Sequence, residues 1–190
     1  MKMYKEMKGY VEKGRLDVYI PPTEESIRWK QWWTILDIKT CPDCVNMHGK
    51  IWAYEDIPET EPPLHWGCRC VIDAMKAVRS GKGTKDDENG ADWYLKYVGR
   101  LPDYYISEED ISLLGWRNGK SPVKYASGKM ITRGKYENDD GHLPDVPGRE
   151  WYEADINYYS GKRNSHRVLW SNDGLIFVTY DHYRTFLEIV

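Results

Sequence analysis

The clearest hydrophobic patterning lies near the end of the chain. From Trp151 to Ile156 residues alternate, so Trp151, Glu153 and Asp155 share one strand face and Tyr152, Ala154 and Ile156 share the other. Three further short runs rich in β-branched and aromatic residues follow: HRVLWS, GLIFVTY and FLEIV. Ser160-Gly161 supplies a turn after the first run, and Asn172-Asp173-Gly174 a tight hairpin between the second and third. The pattern predicts an antiparallel meander. Ahead of it, Trp93, Leu95 and Val98 mark a short amphipathic helix ended by Gly99. A second helix starts at Ser107, an N-cap hydroxyl three residues before Asp110, and closes at Gly115. Residues 117–149 read as long loops with short strands. The fold class is therefore α+β, helices on an antiparallel sheet.

The first half of the chain is less regular. Residues 1–22 lack a clear period and end in Pro21-Pro22, whereas Thr23-Glu-Glu-Ser-Ile reads as a helix start leading into a densely apolar segment, Ile27 to Leu36, that is a buried helix or strand. Ser80 to Gly90, SGKGTKDDENG, contains no apolar residue and has the composition of a solvated linker. This divides the chain into a module at 1–79, a linker at 80–90 and a domain at 91–190.

Composition sharpens the division. All four cysteines, Cys41, Cys44, Cys68 and Cys70, lie in the first 70 of 190 residues. Cys41-x-x-Cys44 places two thiolates on one turn and Cys68-x-Cys70 points two more the same way, a donor set suited to tetrahedral structural zinc. His65 could replace one sulfur, His48 is a more distant candidate, and two disulfides are the competing reading. The net charge of -3 gives no general attraction to nucleic acid, so any such binding must come from a local basic site. No apolar run is long enough to span a bilayer, and the charged start, MKMYKEMKGYVEK, lacks the apolar core of a signal peptide. Export by the general route is not expected.

Candidate chemistry gathers around the meander. The turn at Ser160-Gly161 should bring Arg163 and Arg167 back towards Glu153, and Asp181-His182-Tyr183 sits where the third run ends. A carboxylate base, a histidine acid and cations between them are what cleavage of RNA through its own 2'-hydroxyl requires. Asp155 is surplus to that chemistry and is expected to pair with the arginines.

The residues also carry two resemblances. Trp33-Thr34, Asp37, Thr40 to Cys44, Gly49, Pro63, His65 and Cys68-Arg69-Cys70 resemble the C-terminal part of phage head morphogenesis proteins, the Mu F-like minor capsid family, over roughly residues 27–75. Leu101-Pro-Asp-Tyr-Tyr-Ile, Leu114-Gly-Trp, Gly148-Arg149, Glu153-Ala-Asp-Ile-Asn-Tyr, Arg163-Asn-Ser, Arg167 and Asp181-His-Tyr resemble the barnase-type, guanyl-preferring microbial ribonucleases over roughly residues 91–190. The second resemblance implies Glu153 as general base, His182 as general acid, Arg163 and Arg167 as phosphate ligands, and Tyr183 as a substrate contact. It also implies guanine recognition by the loop Glu137 to Asp140, through Asn138 and Asp140, cleavage without a cofactor, and a barstar-like inhibitor as partner. Together the two imply a toxin effector of a phage or mobile element. The alternative is a virion-associated protein whose nuclease domain only binds.

Two departures from the ribonuclease pattern stand out. Glu108 replaces a lysine that assists the phosphate, and Asp139 replaces an arginine of the guanine loop. With 13 Lys and Arg against 15 Asp and Glu in residues 91–190, that part is not basic. Weaker RNA affinity or a narrower substrate range is expected, as is altered pairing with an inhibitor.

Overall fold

A computed structural model describes residues 19–190 except Tyr159 and Lys162; the charged start read above lies outside the described residues. Nine strands form one sheet in the order β2-β1-β3-β9-β8-β7-β6-β5-β4. The predicted meander is its centre: β6 (Trp151–Asp155), β7 (Arg167–Ser171), β8 (Ile176–Thr179) and β9 (Leu187–Ile189), each antiparallel to the next. The tight turn requires a left-handed residue, and Gly174 supplies it at φ 93°. Beyond β6 lie β5 (Met130–Tyr136), antiparallel to it, and β4 (Tyr105–Ser107), parallel to β5 at the edge.

The other half of the sheet comes from β1 (Glu24–Trp33), β2 (Ile51–Ala53) and β3 (Val71–Val78), and β3 runs parallel to β9. The helix start expected at Thr23 is therefore a strand. The Ser26 hydroxyl accepts the amides of Arg28 and Trp29 at 3.1 Å each and donates to the Glu188 carboxylate. The register of β1 against β3 shifts between Glu25 and Lys30; beyond it Trp29 and Trp32, three positions apart on a regular stretch, face opposite sides and join different cores.

Three short α-helices are described: α1 (Pro42–Met47), α2 (Ala91–Tyr97) and α3 (Glu108–Leu113). The Ser107 hydroxyl accepts the Asp110 amide at 2.9 Å, as an N-cap should. One core packs α2 through Leu95 against Ala154, Ile156, Val168, Val178 and Ile189; Val78 of β3 joins it. The second core gathers Trp151, Leu169, Phe177 and Phe186 with Trp29, Ile51 and Met75 from the first half of the chain. Alternation along β6 and β7 thus feeds both cores, as the period-2 pattern requires.

Residues 80–90 are not the solvated spacer that their composition suggests. Gly81 and Gly83 amides donate to Asp92 Oδ2 at 2.8 Å each, and the Thr84 hydroxyl donates to Asp92 Oδ1 at 2.9 Å. Thr84 and Asp92 are both buried. The glycines are there because the chain wraps closely on this carboxylate: a Cβ on Gly90 would lie 1.9 Å from the Thr84 hydroxyl.

Glu188 on β9 is 1% exposed and is held by Ser26 and by both Nε and an Nη of Arg28, the Nε bond being 2.6 Å. Removing the guanidinium leaves a buried carboxylate short of donors. Because Arg28 is itself half exposed, Arg28→Ala should cost about 2 kcal/mol, below the range for a fully buried pair. Urea unfolding measures this, and an unchanged midpoint would show that Glu188 does not depend on β1.

Candidate active site

The three strand ends nearest the turn at 156–166 hold the candidate groups. Asp155 is fully buried at the end of β6, directly opposite Arg167 on β7. Its carboxylate takes Arg163 in a fork, Nε to Oδ2 and Nη2 to Oδ1 at 2.6 Å each, and Arg167 Nε lies 3.1 Å from Oδ1. Arg167 further donates to the carbonyls of Asn164 and His166 at 2.9 and 2.6 Å. Sequence reading brings the guanidiniums towards Glu153; their ion pairs among the described residues go to Asp155.

Glu153, two residues earlier on the same face, is also buried but has a different partner, the Tyr183 hydroxyl, which donates to Oε2. Tyr183 in turn stacks on Tyr136 at 5.4 Å and an 18° interplanar angle. Burial first, then the Glu153 charge, pushes the Tyr183 hydroxyl well above the usual phenol range, so it stays a proton donor. No cation donates to Glu153 among the described residues.

His182 is exposed, on the loop that follows β8, with its ring 4.8 Å from that of Tyr183. Partial burial, then Arg167, holds its pKa below 6.5; Glu153 pulls it upward, while Arg163 and Arg133 push it down. Both His182 (φ 61°) and Tyr183 (φ 66°) are left-handed without being glycine, a conformation that persists only where surroundings enforce it. Asp181 does so. Its Oδ1 accepts the amides of Arg184 and Thr185 at 3.1 and 3.0 Å and the Thr179 hydroxyl at 3.0 Å, and Oδ2 accepts the Thr185 hydroxyl at 2.7 Å. This anchoring role was missed in the sequence, although an aspartate immediately before two site residues is the usual signal of an Asx-organised loop.

The loop at 137–140 is arranged differently from its sequence reading. The Asn138 amide is engaged at both ends by the backbone of Leu143, donating at 3.0 Å and accepting at 3.0 Å, so it shapes the loop. Asp140 Oδ2 lies 2.7 Å from His142 Nδ1. Glu108 pairs with Arg133 at 3.0 Å, so its charge is partly spent on a cation that also faces His182.

A second cluster lies around α1. All four cysteines are free. Cys41 Sγ and Cys44 Sγ stand 3.2 and 3.4 Å from His65 Nε2, and Cys44 Sγ stands 3.7 Å from Cys68 Sγ. Cys70 Sγ lies 2.6 Å from the Thr34 hydroxyl, close to Cys44 and Cys68. The Cys70 amide draws the Cys68 thiol down to about 7, and the Cys44 amide lowers Cys41, whereas burial pushes Cys44 up. Spacings of 3.2–3.7 Å suit donors on a tetrahedron around zinc at about 2.0–2.3 Å.

A family model described as ribonuclease matches residues 88–190, over half of the chain. The chain belongs to this ribonuclease family. The chain is 47% identical over 100 residues to a protein named Ribonuclease from Heyndrickxia coagulans, covering 52% of this chain and 91% of the relative. It is likewise 47% identical over 100 residues to proteins named Ribonuclease from Bacillus intermedius and Bacillus pumilus, and there the match spans 61% of each relative. A second model, Phage Mu protein F like protein, matches residues 3–73, the part of the ribonuclease that bears the cysteine cluster. No described helix is long and apolar enough to cross a membrane.

Replacing Asp181 by alanine removes four bonds that hold two left-handed residues. Asp181→Ala should cost the ribonuclease about 2 kcal/mol and release the loop, read as faster hydrogen exchange at the Arg184 and Thr185 amides. Unaltered exchange there would mean that something else holds the loop.

Proposed function

We propose that the protein is an endoribonuclease that cleaves single-stranded RNA by transesterification through the 2'-hydroxyl, leaving a 2',3'-cyclic phosphate. The observation that carries this reading is the division of labour between the two carboxylates on β6. Asp155 absorbs the guanidiniums, which leaves the Glu153 carboxylate free of cation donors and able to accept a proton. Glu153 takes the 2'-OH proton, the 2'-oxygen attacks the adjacent phosphorus, and the P–O5' bond breaks as His182 gives its proton to the departing 5'-oxygen. Arg163 and Arg167, fixed by Asp155, present positive charge to the phosphorane oxygens. This chemistry calls for no cofactor.

The proposal includes a preference for guanosine. Asp140 is exposed on the loop after β5 and could accept from a base edge, but Asn138 is committed to Leu143 and serves the loop's shape. The acidic balance and Glu108 support weaker RNA affinity than a basic nuclease would have. We read the Mu F-like match as support for a toxin effector associated with a phage or mobile element, with a division into modules at 1–79 and 91–190 and an inhibitor protein as partner.

The cysteine cluster is proposed as a structural zinc centre that draws its ligands from Cys41, Cys44, Cys68 and Cys70, with His65 as the alternative; the donors fall into two sets that share Cys44, namely Cys41, Cys44 and His65, and Cys44, Cys68 and Cys70. Such a centre would cross-link α1 to the loop before β3, a fold-stabilising role with no part in the cleavage. Elemental analysis should find one zinc per chain, and none would sink this assignment.

For the catalysis, Glu153→Gln and His182→Ala should each lower the cleavage rate by roughly 10² to 10⁴-fold while the protein stays folded. A general acid must be protonated to act, and the His182 pKa lies below 6.5. The kcat/KM profile of the free protein should therefore fall on its alkaline side with a midpoint below 6.5, and His182→Ala should lack that limb. Variants as fast as the wild type would remove the assignment.

A further inference from the structure

Between the zinc-knuckle segment and the catalytic loop lies a cleft of about 870 Å³. One wall is Ile38, Val45, His48 and Lys50; the other includes His182, Tyr183 and Arg184, so the cleft is continuous with the candidate active site. The two walls are in firm contact. Gly49, left-handed at φ 93°, approaches so closely that a Cβ there would lie 2.2 Å from the Arg184 carbonyl oxygen.

The polar groups facing this space are unevenly committed. Asp37 accepts from Arg69 at 2.8 and 2.7 Å, whereas Asp140, exposed and 2.7 Å from His142 Nδ1, keeps its negative charge at the edge of the cleft. Lys50 and Arg184 have no ion-pair partner among the described residues. His48 is only 4% exposed, and its Nδ1 accepts the Thr34 amide at 3.0 Å, which places the proton of the neutral ring on Nε2. Burial keeps the ring neutral, pushing its pKa down. That Nε2–H is a buried donor with no partner among the described residues. Ile38, almost fully exposed, and Val45 add an apolar strip beside it.

We propose that this cleft is a second nucleotide subsite of the ribonuclease, built by the N-terminal module, which takes the nucleotide next to the pair flanking the scissile phosphate. The base lies along Ile38 and Val45, and the phosphate meets Lys50 and Arg184. The inference rests on the ribonuclease reading. It supplies local positive charge where the domain as a whole has none.

The test compares a guanosine-containing dinucleotide with a single-stranded hexanucleotide containing one guanosine, for wild type, Lys50→Ala and Lys50→Glu. The Lys50 side chain makes no bond among the described residues, so both variants should fold. Expected is a loss in kcat/KM for Lys50→Ala that is roughly five-fold larger on the hexanucleotide than on the dinucleotide, larger again for Lys50→Glu. The slope of log kcat/KM against log salt on the hexanucleotide should become shallower by about 0.7. A wild type that cleaves both, with variants that keep its length ratio and salt slope, overturns the subsite alone. A wild type that cleaves neither overturns the ribonuclease reading and the subsite with it.

Discussion

The buried carboxylate of Asp155 is the constraint on which the site depends. It lies in the core at 0% exposure, where a lone charge would be prohibitively costly, and two guanidiniums make it tolerable. Satisfying it fixes the turn that carries Arg163 and locks the β6–β7 pairing through Arg167. Its main-chain carbonyl also accepts the Tyr105 hydroxyl at 2.6 Å, which ties in the edge strand β4. The same arrangement holds cations beside Glu153 without bonding them to it. The stabilising carboxylate and the proposed base thus sit at neighbouring positions of one strand face.

The N-terminal half is part of the same construction. Parallel pairing of β3 with β9 covers what would otherwise be a sheet edge, and Trp29, Ile51 and Met75 complete a core begun by Trp151 and Phe177. Glu188 needs Ser26 and Arg28 for its hydrogen bonds. Gly49 lies under the loop that carries His182. A segment with Mu F-like sequence therefore stands against the loop that carries His182.

Much of the second half was legible in the sequence because local signals there agree with tertiary demands. Alternation gave the strands of the meander, Asn172-Asp173-Gly174 its hairpin, and Ser107 the start of α3. The first half misled where local and long-range preferences conflict: Ser26 in a cap-like sequence serves a strand because Glu188, 162 positions away, claims its hydroxyl. The polar stretch 80–90 misled for a similar reason, since its glycines and Thr84 solvate the buried Asp92 rather than meeting water. Residue types at the site were visible, and so was the pairing of Asp155 with the arginines, since a second carboxylate on that face is surplus to the chemistry. The bond from the Tyr183 hydroxyl to Glu153 was not visible, and the commitments of Asn138 and Asp181 depend on loop geometry that no periodicity encodes.

The central claim is that Glu153 and His182 perform a phosphoryl transfer to the neighbouring 2'-oxygen. The most direct measurement is mass spectrometry of the ends produced from a defined single-stranded RNA in the presence of EDTA. The account predicts 2',3'-cyclic phosphate and 5'-hydroxyl ends, and no cleavage of the same strand when the ribose at the cut site is replaced by 2'-deoxyribose. Cleavage of the deoxy-substituted strand, or 5'-phosphate ends, would contradict it.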